Sequence, residues 1–110
     1  MARRSFRVQW AEAAARDLEE LISYVAADSP LNAERILDKL EKRARTLEST
    51  PVRGRVVPEL AHFGIRNWRE LIVKPYRIIY RIDEDTVNVL AVLDGRRDLQ
   101  DMLLERLIRE

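Results

Sequence analysis

Between Ser5 and Trp10 the chain alternates, with Phe6, Val8 and Trp10 on one side and Arg7 and Gln9 on the other. That two-residue period belongs to a strand with one buried face. The period then changes. In "AEAAARDLEELISYVAAD", Leu18, Leu21, Ile22 and Val25 fall at i, i+3, i+4 and i+7, while Arg16, Glu19, Glu20 and Ser23 lie off that stripe. This spacing predicts an amphipathic helix. "DSP" interrupts it, placing Ser29 as N-cap and Pro30 as the first residue of a second helix, where the missing N–H costs nothing. That helix is expected to run to about Glu48, with Ala33, Ile36, Leu37, Leu40, Ala44 and Leu47 on one face. Helices joined this tightly pack antiparallel. Their apolar faces still need a sheet to cover them.

The stretch 49–65, "STPVRGRVVPELAHFGI", holds two prolines and two of the three glycines. It reads as a long connection pinned by Val56, Val57, Leu60 and Phe63. Period-two segments return in "NWRELIV", "YRIIYRI" and "VNVLAVL". Their breaks, Lys74-Pro75 and the acidic "DEDT", are short enough for antiparallel hairpins. On the middle strand Tyr76, Ile78, Tyr80 and Ile82 share one face, and Arg77, Ile79 and Arg81 the other. The last segment, 98–108, is a helix with Asp98 as N-cap and Leu99, Leu103 and Leu107 in one row, Leu104 and Ile108 beside it. It has more apolar residues than one face can bury, so core packing is favoured over a docking role for Leu103. The predicted fold is α+β: an N-terminal strand, an antiparallel helical hairpin, a three-stranded antiparallel meander completing a twisted sheet, and a C-terminal helix. The helices are expected on one sheet face.

Length and charge add boundaries. With 110 residues, 1–110 is a single domain. A formal net charge of +1 offers no basic tail to bind nucleic acid. There is no cysteine, so no disulfide or thiolate chemistry, which suits the cytoplasm. No apolar run approaches the roughly 18 residues of a membrane span. Neither a metal-spaced ligand set nor a phosphate-cradling glycine loop is present, so no cofactor or metal is expected. His62, the single histidine, reads as a surface residue, and Trp10 and Trp68 as packing residues. Arginines carry the remaining signal. Arg69, Arg77 and Arg81 lie on the meander, and Arg96 and Arg97 leave its last strand. Gathered on an uncovered sheet face they would bind phosphate or carboxylate groups; alternatively they pair with Glu70, Asp83, Asp94 and Asp98.

The succession "DLEELISYVA", "GRVVPEL", "WRELIVKPYRIIYRI" and "VNVLAVLDGRRD" resembles the RelE/ParE superfamily of bacterial toxins, and more closely its ParE branch, from about Phe6 to Leu107. The resemblance implies the toxin of a type II toxin–antitoxin system, neutralised by a ParD-like antitoxin. RelE-like members cleave mRNA on the ribosome with basic residues and a tyrosine; ParE-like members poison DNA gyrase without chemistry of their own. Carried over, the strand arginine is Arg77 and the arginine after the last strand is Arg97, with Arg96 beside it. Arg77 and Arg97 would be catalytic in a RelE-like enzyme. The positions of the nuclease lysines hold Trp68 and Glu70, and that of its C-terminal tyrosine holds Leu103. Cleavage through the 2′-OH needs a base, an acid and cations, so this substitution favours the ParE reading. The expected target is therefore DNA gyrase, contacted through Arg69, Arg77, Arg81, Arg96 and Arg97. The alternatives are a ribosome-dependent mRNA endonuclease and a non-toxic co-repressor that meets DNA only through its antitoxin.

Overall fold

Ser29 turns the chain between two helices. Its hydroxyl accepts a 3.2 Å hydrogen bond from the Asn32 amide, closing α1 (Glu12–Asp28) and opening α2 (Pro30–Arg45). The computed structural model describes residues 5–96 and 100–109; the expected N-cap Asp98, Leu99 and the candidate Arg97 lie outside them. Where α2 was expected to continue to Glu48, the last turn tightens into a 3-10 turn over Thr46–Glu48. The Thr46 hydroxyl donates to the Arg43 carbonyl at 2.6 Å there, and Leu47 is carried into the core.

Five strands form one sheet: β1 (Arg7–Trp10), β2 (Arg55–Val56), β3 (Trp68–Val73), β4 (Tyr76–Asp83) and β5 (Thr86–Asp94). Their spatial order is β1-β5-β4-β3-β2, with β1 parallel to β5 and every other pair antiparallel. The long connection supplied two elements the hydrophobic pattern had not separated. One is the edge strand β2; the other is a short helix, α3 (Pro58–Ala61), started by Pro58 and buried through Val57 and Leu60. The C-terminal helix α4 spans Gln100–Arg109.

Both faces of the sheet are covered, which corrects the expectation of helices on one face only. Ala14, Leu40, Ala44 and Leu47 of the hairpin side pack on Leu71, Val73, Ile78, Tyr80, Val87, Val89 and Val92. On the opposite face, Val57, Leu60 and Leu103 pack on Trp68, Ile79, Leu90, Ala91 and Leu93. Strand parity assigns β4 as expected. On β5 it fails midway, because Ile79 pairs with Ala91 and Tyr80 with Val89, leaving Leu90 as the extra residue of a β-bulge. Val87 and Val89 therefore face the hairpin, Leu90 and Ala91 both face α4, and Val92 returns to the hairpin side.

The bulge lies where β1 ends. Trp10 pairs with Val89, and the chain then turns into α1, so among the described residues β5 beyond Val89 has no strand on that side. Side chains take the place of the strand. Asp17 of α1 accepts the Val92 amide at 3.1 Å, and Arg106 of α4 donates to the Leu90 carbonyl at 2.8 Å. Asp17 and Arg106 also join each other through two 3.1 Å hydrogen bonds, which ties α1, β5 and α4 at one point.

Candidate functional site

Alternation along β3 and β4 decides where each arginine points. Arg69 pairs with Tyr80, on the hairpin side with Leu71 and Val73, and its guanidinium donates to the Gly54 carbonyl at 2.8 Å. Arg77 and Arg81 take the other face. The four described arginines, Arg69, Arg77, Arg81 and Arg96, thus do not assemble into one concave, uncovered cluster. Arg69 points through the sheet away from the others, and α3 and α4 occupy the face that had been expected to stay open. Arg81 hydrogen-bonds Asp83 at 3.0 and 3.1 Å. Arg96, with its side chain 72% exposed, holds Asp94 at 2.6 and 2.9 Å, a pairing that raises its pKa.

Arg77 is the most enclosed of these arginines. Its Nε donates to Glu70 at 2.5 Å and a terminal nitrogen pairs with the same carboxylate; both terminal nitrogens donate to Glu59 at 2.7 Å. Glu70 is itself fully buried and accepts a second 2.6 Å bond from Arg55. Fork-to-fork arginine–carboxylate pairs of this kind are the strong ones. The Arg77 hydrogen bond holds Glu59 below the ordinary glutamate range, against the opposing effect of burial, and Glu59 in turn raises Arg77. Four charges from β2, α3, β3 and β4 cancel within one network. Next to it, a Cβ on Gly95 would stand 3.0 Å from the Pro75 carbonyl and 3.2 Å from the Arg77 side chain. Glycine thus lets the exit of β5 pass close over Arg77, on the way to Arg96.

A groove of about 700 Å³ opens between α1, the free end of β5 and α4. Leu21, Val25, Val92, Leu93 and Met102 give it an apolar floor, and Tyr24, Tyr76 and Arg96 stand at its rim. Tyr24 is 83% exposed, an unusual degree for a tyrosine. Asp17 and Arg106 also line the groove, so the joint between α1 and α4 forms one of its walls.

The three positions that a RelE-like nuclease would use are interior. Trp68 and Leu103 are fully buried in the same cluster, and Glu70 is sealed beneath Arg77 and Arg55. Tyr80 is buried as well. Its hydroxyl accepts the Gly54 amide at 2.9 Å and donates to the Pro51 carbonyl at 2.7 Å, and burial raises its pKa. His62 caps α3 and lies edge-on to Phe63, 5.2 Å between centroids, both exposed. Trp10 packs at the margin of the hairpin core. Sequence reasoning missed Glu59, Asp17 and Arg106. Their partners lie 18, 75 and 89 residues away, and no local period reports such pairs. A faint signal was present in α4, where Arg106 stands between Glu105 and Leu107 and one turn from Leu103, on the half-buried side.

Comparison with known proteins fits this geometry. The sequence model of the ParE toxin of the type II toxin–antitoxin system parDE matches residues 8–99. The chain belongs to that family, within the RelE/ParE superfamily. A putative toxin Y4kP of Sinorhizobium fredii is 30% identical over 99 residues, 88% of this chain and 96% of the relative. Toxin RelE2 of Caulobacter vibrioides is also 30% identical, over 83% of this chain and 97% of its own length. Among solved structures, the fold is shared with a chain of the chromosomal ParDE system of P. aeruginosa, at TM-score 0.67 and 18% identity over 83% of this chain and 97% of that one. A chain of the RelBE2 toxin–antitoxin complex of Mycobacterium tuberculosis aligns at TM-score 0.60 and 28% identity, covering 82% and 91%. No described helix is long and apolar enough to cross a membrane.

Proposed function

We propose that this toxin acts as a ParE-like inhibitor of DNA gyrase, through protein contact rather than catalysis, and is neutralised by a cognate ParD-like antitoxin. One observation carries the reading: Trp68, Glu70 and Leu103 stand where a ribosome-dependent nuclease needs its proton-transfer and charge-stabilising groups, and all three are buried. A buried leucine moves no proton, and a carboxylate already held by two arginines is not free to act as a base. Of the candidate arginines, Arg96 and Arg81 reach solvent and supply the contact surface, with Arg97 following Arg96 in sequence. Arg69 and Arg77 hold the fold behind them.

The groove between α1 and α4 suits an amphipathic antitoxin segment. Its apolar floor accepts side chains at i, i+3 and i+4, and Arg96 at the rim meets an acidic residue. Localisation in the cytoplasm, where gyrase and ribosomes both lie, follows from the same reading. Expression without antitoxin is expected to cause DNA breaks and filamentation, and the purified chain is expected to block gyrase supercoiling. Codon-positioned mRNA cuts on ribosomes, with supercoiling untouched, would establish the endonuclease instead. An inert chain that still represses its operator with the antitoxin would establish a co-repressor.

A further inference from the structure

Glu59 and Glu70 both hold Arg77, but they are not equivalent. Glu70 is sealed and shared with Arg55, whereas the Glu59 side chain is 28% exposed and belongs to the four-residue helix α3. Glu70 takes the Nε side of the guanidinium; Glu59 takes the end formed by the two terminal nitrogens, with one oxygen on each at 2.7 Å. Two parallel bonds from that end are also how an arginine grips a phosphate. The outer carboxylate therefore fills the edge an incoming phosphate would need. Behind it, the charges of Arg55, Arg77, Glu59 and Glu70 cancel, so little field remains to attract a polyanion.

We infer that Glu59 is a specificity-determining residue: an internal anion that closes Arg77 to phosphate and so makes a basic strand blind to RNA. The inference deepens the proposed protein-directed function and rests on it. Val57 and Leu60, both fully buried, bracket Glu59 and hold α3 against the sheet. The Leu60 carbonyl accepts the Ile65 amide at 3.0 Å and fixes the far end of the loop, where Gly64 takes a φ of 80°. The carboxylate is thus positioned by packing that does not depend on its own charge. Neutralising it leaves one uncompensated positive charge on an enclosed guanidinium, a condition that favours recruiting an anion.

The test uses the full chain and follows the Arg77 Nε–H resonance by NMR while inorganic phosphate, and separately a dinucleotide, is added. The wild-type resonance is expected not to move. In Glu59→Gln it should shift with saturation, phosphate binding at least roughly tenfold more tightly than to wild type. Glu59→Asp, which keeps the negative charge, should stay close to wild type. Amide spectra report whether each variant is folded. Should the Gln variant not fold, wild type titrated with sulfate as pH falls through the Glu59 ionisation reads the same edge, and sulfate should bind only on the acid side. A wild-type resonance that responds to phosphate as strongly as the variant's overturns the inference, as does a folded Glu59→Gln chain that stays blind. Gyrase does not enter this measurement. A phosphate-binding wild type that still inhibits gyrase removes this inference alone; a phosphate-blind wild type with no effect on gyrase removes the proposed function.

Discussion

Asp17 and Arg106 are joined by two 3.1 Å hydrogen bonds across 89 residues of sequence, directly over the bulge in β5. Both side chains are mostly enclosed, at 16% and 21% exposure. Asp17 also holds the Val92 amide, so Asp17→Ala strands a backbone donor and a guanidinium together. Urea unfolding should show a loss of about 1–3 kcal/mol. A double-mutant cycle with Arg106→Ala should give a coupling of roughly 0.5–3 kcal/mol. Simple additivity would mean that α1 and α4 are not linked through this pair.

Leu103 offers a contrast within a single helix. It is fully buried, whereas Ile108, five residues on, is 84% exposed. Leu103→Ala should cost about 2–5 kcal/mol, while Ile108→Ala should stay within about 0.5 kcal/mol of wild type. Equal effects at the two positions would show that α4 does not pack on the second face in solution.

The Tyr80 hydroxyl bridges the Gly54 amide and the Pro51 carbonyl and anchors the loop that ends in α3. Tyr80→Phe leaves both groups buried without that partner, a loss of about 1–3 kcal/mol. Gly54→Ala drives a methyl group into the Glu70 carbonyl and the same hydroxyl, and should be at least as damaging as ordinary overpacking, about 1–3 kcal/mol. Spectrophotometric titration should find one tyrosine ionising above the usual range, because burial raises Tyr80. Its disappearance in Tyr80→Phe checks the assignment.

Acid should weaken the Arg77 network in a particular direction. Glu59 has a depressed pKa in the folded chain, so its stabilisation is fully present above the ordinary glutamate value and is lost as pH falls through the folded value. Wild type and Glu59→Gln should therefore differ by about 1.5–3 kcal/mol at neutral pH, and that gap should close in acid. A gap that widens as pH falls would refute the linkage.

Much of this arrangement was legible in the chain. Hydrophobic spacing located the hairpin, the three strands of the meander and the last helix, because each buries a face set by its own period. Ser29 and Pro30 marked the helix junction through local capping chemistry. The second core face was not legible. It depends on α3, four residues within a proline- and glycine-containing connection, and on Leu90, whose displacement from the alternation of "VNVLAVL" no period reveals. The arginines were legible as residues but not as a site. Arg69 and Arg77 differ in parity, yet only the buried Glu70 and the distant Glu59 determine that Arg77 turns inward. Of the carboxylates anticipated as partners, Glu70, Asp83 and Asp94 pair with Arg77, Arg81 and Arg96, and Asp98 lies outside the described residues.

The extra residue at Leu90 has a consequence for how this chain tolerates insertion and deletion. A β5 shortened by one residue between Val89 and Val92 would run straight, and everything after it would stay on the face it holds now, because Leu90 and Ala91 already share one face. Asp94, Gly95 and Arg96 would keep their course, and the change would fall on the point where Asp17 and Arg106 meet the strand. Point substitutions along β5 alter packing one contact at a time. A single-codon deletion at Leu90 is absorbed by the bulge, whereas one in the regular pairing from Val92 to Asp94 would turn the strand's exit to the opposite face, so the constraint on length in β5 depends on where it falls.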